Sequence, residues 1–149
     1  MPINLVEAKE QHLLFTFKLA NDKETIKNSI LRKKITLEQH TIWFNRFLNS
    51  RNKILKIIYF NKNPIGLIRL EKKYRNYYLS YSIDARFRRR GYASLALLKF
   101  MKKIKMNKKI KKIIALVKKK NTASIKIFNK LNFIDIYYKK KIFKYEYKI

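Results

Sequence analysis

The strongest constraint in this chain is the stretch from Ile83 to Ser94, where the apolar period changes from two to about 3.6 across a loop carrying four arginines and a glycine. Upstream, Leu79, Tyr81 and Ile83 alternate with Ser80, Ser82 and Asp84, as in a half-buried strand. Downstream, Leu95 to Met101 carries apolar residues at helical spacing. A loop that ends in a helix N-terminus offers unpaired backbone N–H groups and the positive end of the macrodipole. A diphosphate is the natural occupant of such a cradle. The chain has only two glycines, and Gly91 stands where the backbone must bend sharply and come close to a ligand.

The 149 residues are 47% hydrophobic and 14% aromatic, enough for a core without a metal or disulfide staple, so one domain over 1–149 is expected. Cysteine is absent, which excludes disulfides, thiolate metal sites and a cysteine nucleophile, and fits a reducing compartment. The start, Met1 to Glu7, has no basic segment followed by an apolar run, and no apolar span reaches membrane length. A cytoplasmic protein without a metal site is the expectation. The formal net charge of +29 would ordinarily point to nucleic acid or an anionic membrane. Here lysine is abundant together with Ile, Asn, Phe and Tyr, the residues of AT-rich codons, so codon bias supplies much of the charge. The run Lys102, Lys103, Lys105, Lys108, Lys109, Lys111 and Lys112 coats a surface and lacks the interleaved aromatics of a base-stacking platform. Nucleic acid and membrane are therefore not expected as partners, whereas a homo-oligomer is compatible with the sequence.

Along the chain, Ile3 to Val6 reads as a strand and Glu10 to Ala20 as a helix with Leu13, Leu14, Phe17 and Leu19 on its apolar face. A short helix is expected from Glu24 to Ile30, then a polar connection at Arg32-Lys33-Lys34. Thr36 to Gln39 has the form of a capping box and opens a helix carrying Ile42, Trp43, Phe44, Phe47 and Leu48. Strands at Ile54 to Phe60, Ile65 to Glu71 and Tyr77 to Asp84, joined by short polar turns, predict an antiparallel meander. The helix after the basic loop runs to about Met106. It is followed by a strand from Ile110 to Val117, a helix from Asn121 to Leu131 with Ile125, Phe128 and Leu131 inward, and strands at Phe133 to Tyr138 and Ile142 to Tyr147. This order predicts an α+β arrangement with one mixed sheet flanked by helices.

Arg88-Arg89-Arg90-Gly91-Tyr92-Ala93 resembles the Arg/Gln-x-x-Gly-x-Gly/Ala loop of the GNAT acetyltransferases. Ala115-Leu116-Val117, Asn121-Thr122-Ala123-Ser124 and Leu131-Asn132-Phe133 resemble their next strand and helix. In the N-terminal half, Asn21 to Glu24, Asn28-Ser29, Ile35-Thr36, His40, Trp43-Phe44, Pro64-Ile65-Gly66, Ile68-Arg69 and Ser80 to Asp84 resemble one branch of that family. This branch comprises the N-acetyltransferases of nucleotide-linked aminosugars, of the pseudaminic-acid pathway type. The resemblance implies the GNAT fold and acetyl transfer from acetyl-CoA to the amine of a 4-amino-4,6-dideoxy sugar on a nucleotide.

On that resemblance, backbone amides from Arg89, Arg90, Gly91, Tyr92, Ala93 and Ser94 hold the pyrophosphate, Arg88 leads the loop, and Ile83 pairs its backbone with the pantetheine arm. Asn121 is either a cofactor contact or a helix cap. Direct attack through a tetrahedral intermediate needs an unprotonated amine, stabilisation of the oxyanion and a proton for the departing thiolate. Candidate bases are His40, Glu71 and Asp84, acting directly or through water, with His40 foremost because its ordinary pKa is near neutral. His12 has no matched position and reads as structural.

The family commonly has a tyrosine seven residues after the asparagine as proton donor, and here that place is Phe128. A neighbouring tyrosine such as Tyr92, Tyr137 or Tyr138, or water, must substitute. Ile26 stands where the branch tends to have arginine, and Asn132 replaces the glycine after the last helix, a place asparagine tolerates. Asn21, Trp43, Phe44, Arg69 and Ser82 are candidate acceptor contacts, with Arg69 on a strand face opposite Ile68 and Leu70. The alternatives are an acetyltransferase of protein amines, including ribosomal protein N-termini, and a basic nucleic-acid-binding module on the same fold.

Overall fold

The computed structural model describes residues 2–30 and 33–149, with the Tyr138 side chain outside the description. The elements are β1 (Ile3–Glu7), α1 (Leu13–Ala20), α2 (Lys23–Asn28), α3 (Leu37–Leu48), β2 (Lys53–Phe60), β3 (Asn63–Lys73), β4 (Asn76–Ile83), α4 (Tyr92–Ile104), β5 (Lys112–Lys118), α5 (Thr122–Lys130), β6 (Ile134–Lys139) and β7 (Ile142–Lys148). Single 3-10 turns at Glu10–His12 and Ala85–Phe87 lead into α1 and towards α4. This is the α+β arrangement that the resemblance implies, with one seven-stranded sheet in the order β1-β2-β3-β4-β5-β7-β6.

The meander is antiparallel from β1 through β4, as the short polar turns require. The chain then crosses through α4 and returns as β5, parallel to β4. That pairing holds only at Tyr77↔Ile113 and Tyr78↔Ile114. Beyond Tyr78 the two strands part, so β4 from Leu79 to Ile83 has β3 on one side and, among the described residues, no strand on the other. The far half of the sheet is again antiparallel, with β7 between β5 and β6.

Period two assigns the strand residues to two cores. Ile68, Leu70, Leu79, Ile83, Ile113 and Val117 pack with Leu97 and Phe100 of α4 and Phe128 of α5. On the opposite face, Leu55 packs with Phe44 and Phe47 of α3, and Trp43, Leu13 and Leu67 close around them. The capping box at α3 forms as expected: Gln39 N–H donates to the Thr36 hydroxyl at 3.1 Å, and Thr36 N–H donates to the Gln39 amide oxygen at 3.0 Å. Asp22 caps α2 by accepting from Thr25 N–H at 3.1 Å.

Several boundaries and faces differ from the sequence reading. The segment Glu10–His12 is a 3-10 turn rather than the first turn of α1, and α2 starts at Lys23 and stops at Asn28, short of Ile30. Leu14, expected inward, is 59% exposed, and the buried positions of this region are Thr16, Leu19 and His12. On α3 the buried side is that of Phe44 and Phe47, and Ile42, 50% exposed, faces away from it. The expected connection at Arg32 lies outside the described residues, whereas Lys33 and Lys34 are irregular. No helix among the described residues is long and apolar enough to cross a membrane.

Candidate active site

The end of β4 delivers the chain into the basic loop. Asp84 N–H donates to the Ile65 carbonyl at 2.7 Å, the last ladder contact with β3. Backbone direction alternates along a strand, so Ser82 and Ser80 also point to β3, while Ile83 and Tyr81 present their N–H and C=O groups to the gap left by β5. An extended arm can add there as a strand. The Asp84 carboxylate accepts from Arg86 N–H at 3.0 Å and from the Arg86 guanidinium at 3.0 Å, closing the 3-10 turn. The Arg86 hydrogen bonds hold the Asp84 carboxyl below its usual range, outweighing the opposite effect of burial.

The loop then turns twice through the left-handed region, at Arg89 (φ 61°) and Gly91 (φ 80°), before α4 begins at Tyr92. The first backbone bond of α4 is Leu95 N–H to the Gly91 carbonyl at 3.2 Å. The N–H groups of Tyr92, Ala93 and Ser94 have no protein acceptor among the described residues, and Gly91 contributes no side-chain cap. A Cβ added at Gly91 would meet no heavy atom within 4 Å. Open space at a glycine facing free amides and a helix N-terminus fits a diphosphate. Arg86 and Arg90 both lie over the Phe87 ring, at 5.7 and 5.9 Å, and Tyr92 packs on Phe60 at 4.9 Å.

Arg88 has a different engagement from a free phosphate contact. Its guanidinium donates to Asp22 at 2.6 Å, Glu24 at 2.8 Å and the Thr25 hydroxyl at 3.2 Å. The loop is thereby tied to α2. Burial is the largest single influence on the Asp22 carboxyl and raises its pKa, but the hydrogen bonds of Arg88 and Thr25 and the Arg88 charge together hold it low. Asn121 caps α5, accepting from Ser124 N–H at 3.2 Å. Asn21 spends both ends of its amide on the backbone of Ile35, donating at 2.8 Å and accepting at 2.9 Å, and so splints the segment before α3 to the end of α1.

The candidate bases are not gathered together. His40 is 1% exposed, with its ring 5.3 Å from Trp43 and 5.8 Å from Phe44. The Thr16 hydroxyl donates to the carbonyls of His12 or Leu13, so it accepts from His40 Nε2 at 2.8 Å. That fixes the Nε2–H tautomer, and Nδ1 has no hydrogen-bond partner among the described residues. The ring is a wall of the α1–α3 core with no path to an amine in the gap, a physical obstacle to its expected role. Glu71 pairs with Lys53 at 3.2 Å and Lys73 at 3.5 Å. The side chain of Tyr138 lies outside the described residues.

Both histidines are neutral in the fold. His12 Nδ1 accepts from Lys9 N–H at 2.9 Å, which leaves Nε2–H to donate to Tyr59 at 2.9 Å. Burial pushes both rings below the ordinary 6.5. The unfolded chain takes up protons below about 6.5 that the native state refuses, so stability is full above that pH and falls as pH drops through it. The expected slope approaches about 1.4 kcal/mol per pH unit for each histidine. Urea denaturation followed between pH 7.5 and 5.5 checks this, and a midpoint that does not move refutes it.

On the α3 face of the sheet, Arg69 and Ser80 are cross-strand neighbours, and Arg69 Nε donates to the Ser80 hydroxyl at 3.1 Å. The guanidinium carbon lies 5.6 Å from the Trp43 ring. Burial lowers the Arg69 pKa, opposed by the charge of Glu71, and the guanidinium remains cationic at neutral pH. Ser82 stands one pleat further on the same face. The structure thus brings Trp43, Arg69, Ser80, Ser82 and Glu71 to one face, and the cradle residues Ile83 and Arg89 to Ser94 to one end of the gap.

One pair escaped the sequence reading. The Tyr81 hydroxyl lies 2.5 Å from the Ser124 hydroxyl, joining β4 to the first turn of α5 across the gap. Forty-three residues separate them, so no local spacing could connect them. Among the described residues no group of three or more His, Asp or Glu is placed to hold a metal.

A family model described as acetyltransferase (GNAT) domain matches residues 3–134. Among solved structures, an N-acetyltransferase from Staphylococcus aureus Mu50 is 21% identical with a TM-score of 0.81, covering 99% of both chains. A spermidine N-acetyltransferase from Vibrio cholerae, solved with CoA and spermine, is 13% identical with a TM-score of 0.85, covering 99% of this chain and 95% of that one. A ribosomal L7/L12 α-N-protein acetyltransferase, solved with coenzyme A, is 16% identical with a TM-score of 0.83, covering 100% and 95%. No curated protein matches the chain by sequence.

Proposed function

We propose, from the premise that this chain belongs to the GNAT acetyltransferase family and is an acetyl-CoA-dependent N-acetyltransferase, that its acceptor is an anionic amine, a nucleotide-linked 4-amino-4,6-dideoxy sugar. The observation that carries this is Arg69, a guanidinium held half-buried on the open face with one nitrogen committed to Ser80 and its other donors available to a diphosphate. Trp43 beside it offers an aromatic surface for a base or sugar ring. Electrostatics argue in the same direction. At least six of the nine acidic side chains, Glu7, Asp22, Glu24, Glu71, Asp84 and Glu146, are in ion pairs, and the chain carries +29 overall. Such a surface repels a polyamine and draws in an anion.

Acetyl-CoA supplies the acyl group, and the chain's own residues bind and orient. The amides of Tyr92, Ala93 and Ser94 hold the diphosphate, with the edge of β4 at Ile83 and Tyr81 receiving the extended arm. The acceptor enters from the Arg69 face and attacks directly, with no enzyme nucleophile. Of the expected bases, His40 is sealed, Asp84 is locked to Arg86 and Glu71 is paired with Lys53 and Lys73, so the amine sheds its proton to water. The nucleic-acid-binding alternative gives way to the family membership. Acetylation of protein α-amines is the second reading, supported by the likeness to the ribosomal protein acetyltransferase.

Purified protein with acetyl-CoA is expected to add one acetyl mass to a UDP-linked 4-amino sugar and none to N-terminal peptides or spermidine. Arg69→Ala is expected to raise KM for the sugar by about 10- to 100-fold, the loss of a charge-assisted contact, while the affinity for acetyl-CoA stays as it was. Peptide acetylation without sugar turnover reverses the assignment.

A further inference from the structure

We propose that Tyr81 is the residue that protonates the departing thiolate, held for that task by Ser124. The inference rests on the use of acetyl-CoA and not on the identity of the acceptor.

Thioester aminolysis leaves an electron pair on sulfur, and α5 offers no acid where a tyrosine would serve, because Phe128 is buried and apolar. Tyr81 supplies the missing hydroxyl from the other side of the gap. Its backbone faces the space between β4 and β5, two residues inward from Ile83, along the edge open to an extended arm. Its side chain stands on the α4–α5 face and reaches across to the Ser124 hydroxyl at 2.5 Å. The ring packs against Phe128 at 6.1 Å, four residues beyond Ser124 and on the same side of α5. Phe128 is itself fixed by Phe133 at 5.0 Å and Tyr145 at 6.0 Å, so the Tyr81 ring is braced. The hydroxyl therefore sits where β4 and α5 face each other over the arm's path, inward of the cradle. Burial raises the Tyr81 pKa, opposed by the Ser124 hydrogen bond, so the group is protonated and able to donate.

The proton balance closes. The amine nitrogen bonds to the acyl carbon as the carbonyl electron pair moves to oxygen; when that pair returns, the C–S bond breaks and its electron pair goes to sulfur, which takes the Tyr81 proton. The Ser124 hydroxyl donates to the phenolate so formed. The proton shed by the acceptor amine, carried by water, restores the phenol. The products are an amide and a thiol.

Both readouts of the test work without an acceptor. With tyrosine labelled by carbon-13 at Cζ, the resonance missing from Tyr81→Phe identifies Tyr81. It is expected to move on adding CoA and to move far less on adding desulfo-CoA, which differs only at sulfur. In the slow release of thiol from acetyl-CoA by hydrolysis, Tyr81→Phe is expected to lower kcat about 100-fold with KM for acetyl-CoA unchanged, and Ser124→Ala to lower it less, in the range for loss of a general acid. Where hydrolysis is too slow to follow, the resonance comparison decides. Equal shifts with CoA and desulfo-CoA, or an unchanged kcat in Tyr81→Phe, overturn the proposal. Failure of the protein to bind CoA overturns it together with the cofactor reading, whereas failure to acetylate an aminosugar leaves it untouched.

Discussion

Gly91→Val is expected to weaken acetyl-CoA binding about 100-fold or more, on the order of 3 kcal/mol, the scale of losing one or two hydrogen bonds to a charged group. The cause is conformational. Gly91 has φ 80°, where a β-branched residue is strained by about 1–2 kcal/mol, and the simplest relief is to move the residue out of the left-handed region. That swings the N–H groups of Tyr92, Ala93 and Ser94 away from a common focus. A Cβ here meets nothing of the protein, so the rest of the fold has no reason to respond beyond the strain itself. Titration calorimetry with acetyl-CoA, beside urea denaturation of the same variant, separates the two effects. Wild-type affinity in Gly91→Val removes the phosphate assignment from this loop.

Gly66→Ala has the opposite signature, with stability lost first. Gly66 lies opposite Ile83 in the β3–β4 ladder, and a methyl group there collides with the backbone carbonyl of Ser82 and comes within 2.9 Å of Ile83 Cδ1. A carbonyl in a ladder cannot swing aside as a side chain can, so β4 must shift. The expected cost is roughly 2–4 kcal/mol, the upper part of the range for overpacking. The shift falls on the residues that enter the cradle, so acetyl-CoA affinity should drop as well. Urea denaturation at pH 7.5 reads the first effect, and a variant as stable as wild type refutes the close approach.

The strand, basic loop and helix around Gly91 were legible because they are local. An alternating strand, a basic loop with the glycine and an amphipathic helix follow one another within about 25 residues, and the capping box at Thr36 is equally self-contained. What the sequence concealed depends on partners distant along the chain. Arg88 reads as a phosphate ligand until Asp22, Glu24 and Thr25, more than 60 residues earlier, are found around it. Asn21 reads as a substrate contact, yet its amide matches the backbone of Ile35. His40 has the right chemistry for a base and the wrong surroundings, because Thr16 and the α3 aromatics enclose it. Leu14 was misplaced since helical spacing gives an apolar stripe but not the direction of the sheet that will cover it.

The parting of β4 from β5 has a mechanical meaning for the whole molecule. Among the described residues, two residue pairs are the only ladder between β1–β4 and β5–β7–β6, so the sheet is a book with a short spine. On the proposed function, an arm seated along β4 acts as a strand between the two leaves. At a concentration of 100 times Kd, such a ligand adds about 2.7 kcal/mol to stability. On the proposed function, the acetyl donor doubles as a structural splint between the two leaves of the sheet.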